Sequence, residues 1–166
     1  MGKLSIFIAV LFLSVSICIA QINFDKPKEK GLLPNPYTAT SPRDVVVEAT
    51  IAMLKDMNID LDTEKSKKEE GILVAKPVIF TRGTLTVSQL EHFSSCPAIE
   101  SRNWSRGRHT LQMVIEPLDP SRSKISVSAK IEGERQTMTG STWVVCESKG
   151  IWENLILESL VKRIDY

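Results

Sequence analysis

Any chemistry this chain performs has to come from a short set of side chains. His92 and Cys96 lie four residues apart, so a thiol beside an imidazole is conceivable, the pairing that activates a cysteine nucleophile. The same spacing offers two metal ligands, but structural zinc takes four. Neither His92 nor His109 has a further ligand at helical or hairpin spacing, so both are expected to be surface or strand-end histidines. Carboxylates are paired at Glu69 and Glu70, Glu132 and Glu134, and Glu153 and Glu158. General acid–base work needs such a pair in a cleft that separates their pKa values. These pairs fall in expected turns or among charged neighbours, which favours solvated surface. Glu153 falls in the first turn of an expected helix, where it complements the dipole. There is no Gly-x-Ser-x-Gly elbow and no glycine-rich phosphate loop. The expectation is a protein that is not an enzyme, with no catalytic residue, no metal and no cofactor.

Recognition is the other chemistry, and one stretch concentrates it. Ser101 to His109 reads SRNWSRGRH. Its three arginines suggest nucleic acid, and Asn103-Trp104-Ser105 is a glycan acceptor where the machinery for it exists. Trp143 starts an expected strand and Trp152 lies on an apolar helical stripe, so both read as core. Trp104 has polar neighbours, and burial would make it structural. Phe93, Trp104, Arg106 and Arg108 are the candidate binding surface. The stretch itself reads as the end of an irregular excursion, turned by Gly107 and leading into a strand near His109.

The elements that must position these residues begin after residue 20. MGKLSIFIAVLFLSVSICIA has one cation, Lys3, an apolar run, and a small-x-small ending before Gln21. That describes a signal peptide over 1–20, and hence an exported protein, periplasmic or secreted. A retained anchor is the alternative, since a spanning helix needs roughly 20 residues. Lipid attachment is disfavoured because bulky Ile17 precedes Cys18. Cleavage leaves 20 cations against 20 acids. A neutral, exported chain excludes nucleic acid as an expected partner, and no stable membrane span is expected after cleavage. Cys96 and Cys146 then remain as an even pair. A disulfide would close a loop of about 50 residues and contribute about 4 kcal/mol. Two unpaired thiols, with Cys146 filling core space on a strand, fit the sequence equally.

Residues 21–40 carry three prolines and no period, which describes an extended leader or linker. A single domain over 41–166 follows. Ser41-Pro42-Arg43-Asp44 resembles a capping box and opens a helix ending near Asn58. Asp62 to Gly71 is a charged turn. Ile72 to Ala75 is a strand that bends at Pro77 or lies at an edge, with Val78 to Phe80 continuing it. Thr84 to Phe93 suits a short helix. Leu111, Met113 and Ile115, then Ile125, Val127, Ala129 and Ile131, alternate with polar residues as in a half-buried antiparallel hairpin. Gly133 to Gly140 reads as a polar connection, and Thr142 to Cys146 as a third strand. A last helix, with Trp152, Ile156, Leu157, Leu160, Val161 and Ile164 on one stripe, ends the chain. The fold class expected is α+β in two layers, an antiparallel sheet with two amphipathic helices packed on one face.

This layout resembles the helix-grip repeat of BamC-type (NlpB-like) outer-membrane assembly lipoproteins. SPRDVVVEATIAMLKDMNIDLDTEKSKKEEGILVAK matches the helix, charged turn and glycine-led strand of such a repeat. The alternating hairpin and WVVCESKGIWENLILESL match its second half. The chain has room for one repeat where the family carries tandem ones, and residues near 80–108 are an insertion. The resemblance implies a non-catalytic module of the bacterial cell envelope that contacts another envelope protein, linked to outer-membrane assembly. The alternative is a binding module for a small apolar ligand held between helices and sheet. The sequence leaves the oligomeric state open.

Overall fold

The computed structural model describes residues 31–99 and 103–164. The expected signal peptide and residues 21–30 of the expected leader lie outside them. In chain order the elements are β1 (Tyr37–Ala39), α1 (Arg43–Asp56), β2 (Ile72–Val74), β3 (Val78–Arg82), α2 (Thr86–Phe93), β4 (Ser94–Ser95), β5 (Trp104–Asp119), β6 (Arg122–Thr137), β7 (Gly140–Ser148) and α3 (Ile151–Ile164). They build a mixed α and β structure. The sheet is open, antiparallel and seven-stranded, in the order β2-β5-β6-β7-β4, with β3 also beside β5 and β1 beside β6. The described residues form three α-helices, where the sequence reading had two packed on the sheet.

The hairpin follows the alternation seen in the sequence. Leu111, Met113, Ile115, Ile125, Val127 and Ile131 are buried on one face. At the turn, Asp119 accepts hydrogen bonds from the Ser121 N–H (2.9 Å) and from Arg122 Nε (2.6 Å). The strands outrun the apolar pattern at their far end. β5 starts at Trp104, so the expected irregular excursion is ladder from Trp104 onward. Gly133 to Thr137, taken as a connection, pairs with β7, and only Met138 and Thr139 form the turn. Polar residues obscured both extensions, because charges fill the outward positions and glycines the inward ones.

On the far side of β5, β2 and β3 pair end to end along one strand, with Pro77 in the bend between them. α1 ends as the sequence suggests. Asn58 adopts φ 55°, and the Ile59 N–H bonds the Leu54 carbonyl (2.8 Å), which closes a Schellman turn. The expected capping box does not form. Pro42 is the N-cap, and Ser41 is buried, its carbonyl accepting a bond from Ser123 Oγ (2.9 Å).

β6 changes neighbours part way along. β1 pairs with Ser123 to Ile125, and β7 pairs from Ile131 onward. Between them, side chains complete the ladder. Asn35 accepts the Val127 N–H (3.1 Å) and donates Nδ2 to the Val127 carbonyl (2.6 Å). Glu153 accepts the Ala129 N–H (3.1 Å) and the Ser148 hydroxyl (2.9 Å). Buried peptide groups need such partners, and Glu153 is therefore buried rather than solvated. The described end of the expected leader belongs to the fold, since Tyr37 enters the sheet and Leu33 packs on the core.

Two apolar cores lie end to end along β5 and β6. One packs α1 and α3 on the sheet through Val46, Leu54, Met113, Ile156 and Leu157. The other gathers Leu90, Trp104, Ile131 and Cys146, with Phe80 and Phe93 against them. Among the described residues no helix is long and apolar enough to cross a membrane.

Candidate functional site

The residues singled out for binding fall on two faces of the sheet. Phe93 and Trp104 are on the covered face. Phe93 stacks on Trp152 (centroids 4.9 Å apart) and meets Phe80 edge-on (5.4 Å). Trp104 is 4% exposed, and its Nε1 donates to the Ala98 carbonyl (3.4 Å). Two glycines make room there. A Cβ on Gly133 would lie 2.5 Å from Trp104 ring carbons, and one on Gly107 2.7 Å from Thr81 Cγ2. Gly107 therefore does not turn the chain; it lets two layers approach inside β5. Trp104 is structural.

Both histidines are buried, which corrects the surface assignment. A side chain at position 109 faces inward with Leu111 and Met113, and His109 lies against Trp152 (4.2 Å). It is 1% exposed, and burial pushes its imidazole down to about 4. His92 meets Phe93 edge-on (4.7 Å). Cys96 and Cys146 form a disulfide across 50 residues, which decides between the two readings of that pair. It ties the segment after α2 to β7.

Arg106 and Arg108 lie on the open face, and the register shows what surrounds them. Arg106 is opposite Glu134, which is opposite Trp143; Arg108 is opposite Glu132, which is opposite Val145. Arg106 grips Glu134 with both Nε and Nη2, while Ser105 (2.7 Å) and Ser141 (2.9 Å) donate hydroxyls to the same carboxylate. Arg108 Nε donates to Glu132 (2.9 Å), and Lys130 pairs with it (3.0 Å). The Arg108 guanidinium lies 4.0 Å from the Trp143 ring centroid, and that of Arg106 5.6 Å.

This layering explains why two carboxylates are buried on a face turned to solvent. Glu134 is 3% exposed, and Arg106 and the two serines draw its carboxyl down to about 2. Burial pushes Glu132 up, but Arg108 and Lys130 outweigh it and leave it below its ordinary range. Both stay ionised and fully engaged at neutral pH, so neither is poised to exchange a proton. The arginine charges are matched, and what the face presents is planar and apolar: the half-buried Trp143, and Val145 at 58% exposure. The sequence does not single out Trp143 and Val145, because Thr142 to Cys146 reads as a core strand. The signal was the spacing, since Arg-x-Arg opposite Glu-x-Glu puts all four charges on one side of a hairpin.

The sequence matches no protein-family model, and no curated protein matches it.

Proposed function

We propose that this protein is an exported, non-catalytic module of the bacterial cell envelope, and that it binds another envelope protein through the open face of its sheet. One observation carries the reading: a rigid patch in which Trp143 and Val145 are held beside two arginines already neutralised by buried carboxylates. Interfaces favour this composition, with aromatic and arginine side chains at the centre and few unmatched charges. The resemblance to the helix-grip repeat of BamC-type lipoproteins supports the setting, and α1 and α3 packing on one face of the sheet fits a helix-grip arrangement. A link to outer-membrane assembly rests on that resemblance. Export rests on the apolar start of the chain.

The test is photo-crosslinking in intact cells from an unnatural amino acid at position 145, with position 116 as a control at the other end of the same face. A discrete heterotypic adduct from 145 and none from 116 supports the proposal. Equal labelling from both, or none from either, overturns it.

A further inference from the structure

The open face carries a cation that its carboxylates do not match. Thr81 lies opposite Gly107 and Arg82 opposite Arg106, so the Arg106 row continues outward onto β3. Arg82, Arg106, Glu134 and Trp143 form one line across β3, β5, β6 and β7. Ile79, Arg108, Glu132 and Val145 form the next. Glu134 is taken by Arg106, and Glu132 by Arg108 and Lys130. Glu147 stands at the margin, where β4 pairs. Arg82 is exposed, and no carboxylate among the described residues pairs with it.

The charges are also sorted by depth. Glu132 and Glu134 are buried, whereas the Arg106 side chain is 41% exposed. Arg106 engages Glu134 through Nε and Nη2, which leaves Nη1, and Arg108 engages Glu132 through Nε alone. A molecule lying on this face therefore meets guanidinium edges rather than carboxylates. The helices leave the face clear, since Val47 and Leu54 of α1, Leu90 of α2 and Ile156 of α3 all pack on the other side of the sheet. The chain also approaches from that side. The Leu33 N–H bonds Asn154 of α3 (2.7 Å), and Ile99 and Trp104 belong to the covered core.

We propose that the protein bound by the open face presents an acidic segment, with a carboxylate on Arg82 and Arg106 and an apolar side chain on Trp143 and Val145. This rests on the open face being the binding surface and adds the chemistry of the partner. Successive strands lie about 4.8 Å apart, so the line from Arg82 to Trp143 sets the acid and the apolar anchor about 14 Å apart. Guanidinium forks match carboxylate geometry, and an acid placed there gives the interface complementary charge. A basic segment would find the carboxylates of Glu132 and Glu134 already buried and engaged. A lipid surface is the poorer match, because Trp143 is half-buried with the Arg108 guanidinium over its ring and offers no projecting anchor.

The test measures the photo-crosslinked adduct from position 145, in intact cells, in variants of Arg82. Arg82→Gln is expected to lower its yield about threefold, the scale of one exposed ion pair. Arg82→Glu should lower it about tenfold, by opposing like charges. Arg82→Lys keeps the charge and should keep most of the yield. Lys124→Gln removes a cation paired with Glu116 at the other end of the face and should change nothing. In envelope extracts the yield should fall as sodium chloride rises from about 0.05 to 0.5 M. Mass spectrometry should place the adduct near an Asp or Glu of the partner, and changing that acid to Lys should restore the yield of Arg82→Glu. An undiminished adduct from Arg82→Glu overturns the acidic partner and leaves the open face as the binding surface. No adduct from 145 in the wild type overturns both. Pelleting of the wild type with phosphatidylglycerol vesicles, lost in Arg82→Glu and without a protein adduct from 145, assigns the face to lipid and likewise overturns both.

Discussion

Gly133→Ala isolates the packing that holds Trp104. Gly133 lies opposite Gly107 in the β5–β6 ladder. An added methyl would lie 2.5 Å from two ring carbons of Trp104 and 3.0 Å from Leu90 Cδ1. Ordinary contact is about 3.5–4.0 Å between carbon atoms, so the ring would have to retreat by about 1 Å. It has little freedom to do so, with Nε1 bonded to the Ala98 carbonyl and the indole buried. Overpacking of this kind costs about 1–3 kcal/mol, and for a domain of this size that is a fall in Tm of roughly 3–10 °C. Calorimetry and urea titration of the variant measure it. A double-mutant cycle with Trp104→Leu locates the cause, because the smaller side chain vacates the volume that the methyl needs. Trp104→Leu alone leaves a cavity, and the double variant should be more stable than the sum of the two losses by over about 0.5 kcal/mol. If the losses simply add, or Gly133→Ala is neutral, the account of Trp104 as a wedge over a glycine is wrong.

Acid should act through His109 first. The unfolded chain takes up a proton near 6.5 that the folded protein accepts only near 4, so stability falls with pH across that window by about 3 kcal/mol at 1.36 kcal/mol per pH unit. Urea midpoints between pH 7 and 4.5 should show this slope, and His109→Phe should flatten it. The stabilisation associated with Glu134 is lost lower, between 4.5 and about 2. Reduction of the disulfide frees a 50-residue loop and should cost about 4 kcal/mol, less any structure kept by the unfolded chain, measured as a fall in the denaturation midpoint with reductant. Gly71→Ala should be more damaging than a helix glycine change. It forces φ +75° on an L-residue and places a methyl 2.2 Å from the Ile115 carbonyl oxygen, so a loss above about 2 kcal/mol in urea titration is expected.

Elements with clean periodicity were legible in the sequence. The hairpin alternates over Leu111 to Ile131, and both long helices carry apolar stripes, so their places followed from burial alone. What escaped was decided by partners distant in sequence. Gly107 and Gly133 looked like turn residues because their packing against Phe80 and Trp104 cannot be read locally. Ser41 looked like a cap but is bound across the fold by Ser123. Glu153 looked like surface, although a strand with a gap in its ladder needed an acceptor at that point. Arg106 and Arg108 stand out in the sequence, but their setting depends on a register that places Glu132, Glu134 and Trp143 alongside. The disulfide was one of two open readings, and the proximity of β4 to β7 decides it.

The end-to-end arrangement of the two cores has a bearing on how the molecule opens. α1, α3 and β1 stabilise one half of the long hairpin, while α2, β4 and the disulfide secure the other. Cooperative units of this kind can exchange their amides separately, at free energies below that of global unfolding. The half around Trp104 is the smaller core, so its amides form the less protected tier. The covalent bond between Cys96 and Cys146 then limits how far that half can travel when it opens, and each excursion ends with α2 still beside the strand to which it must return.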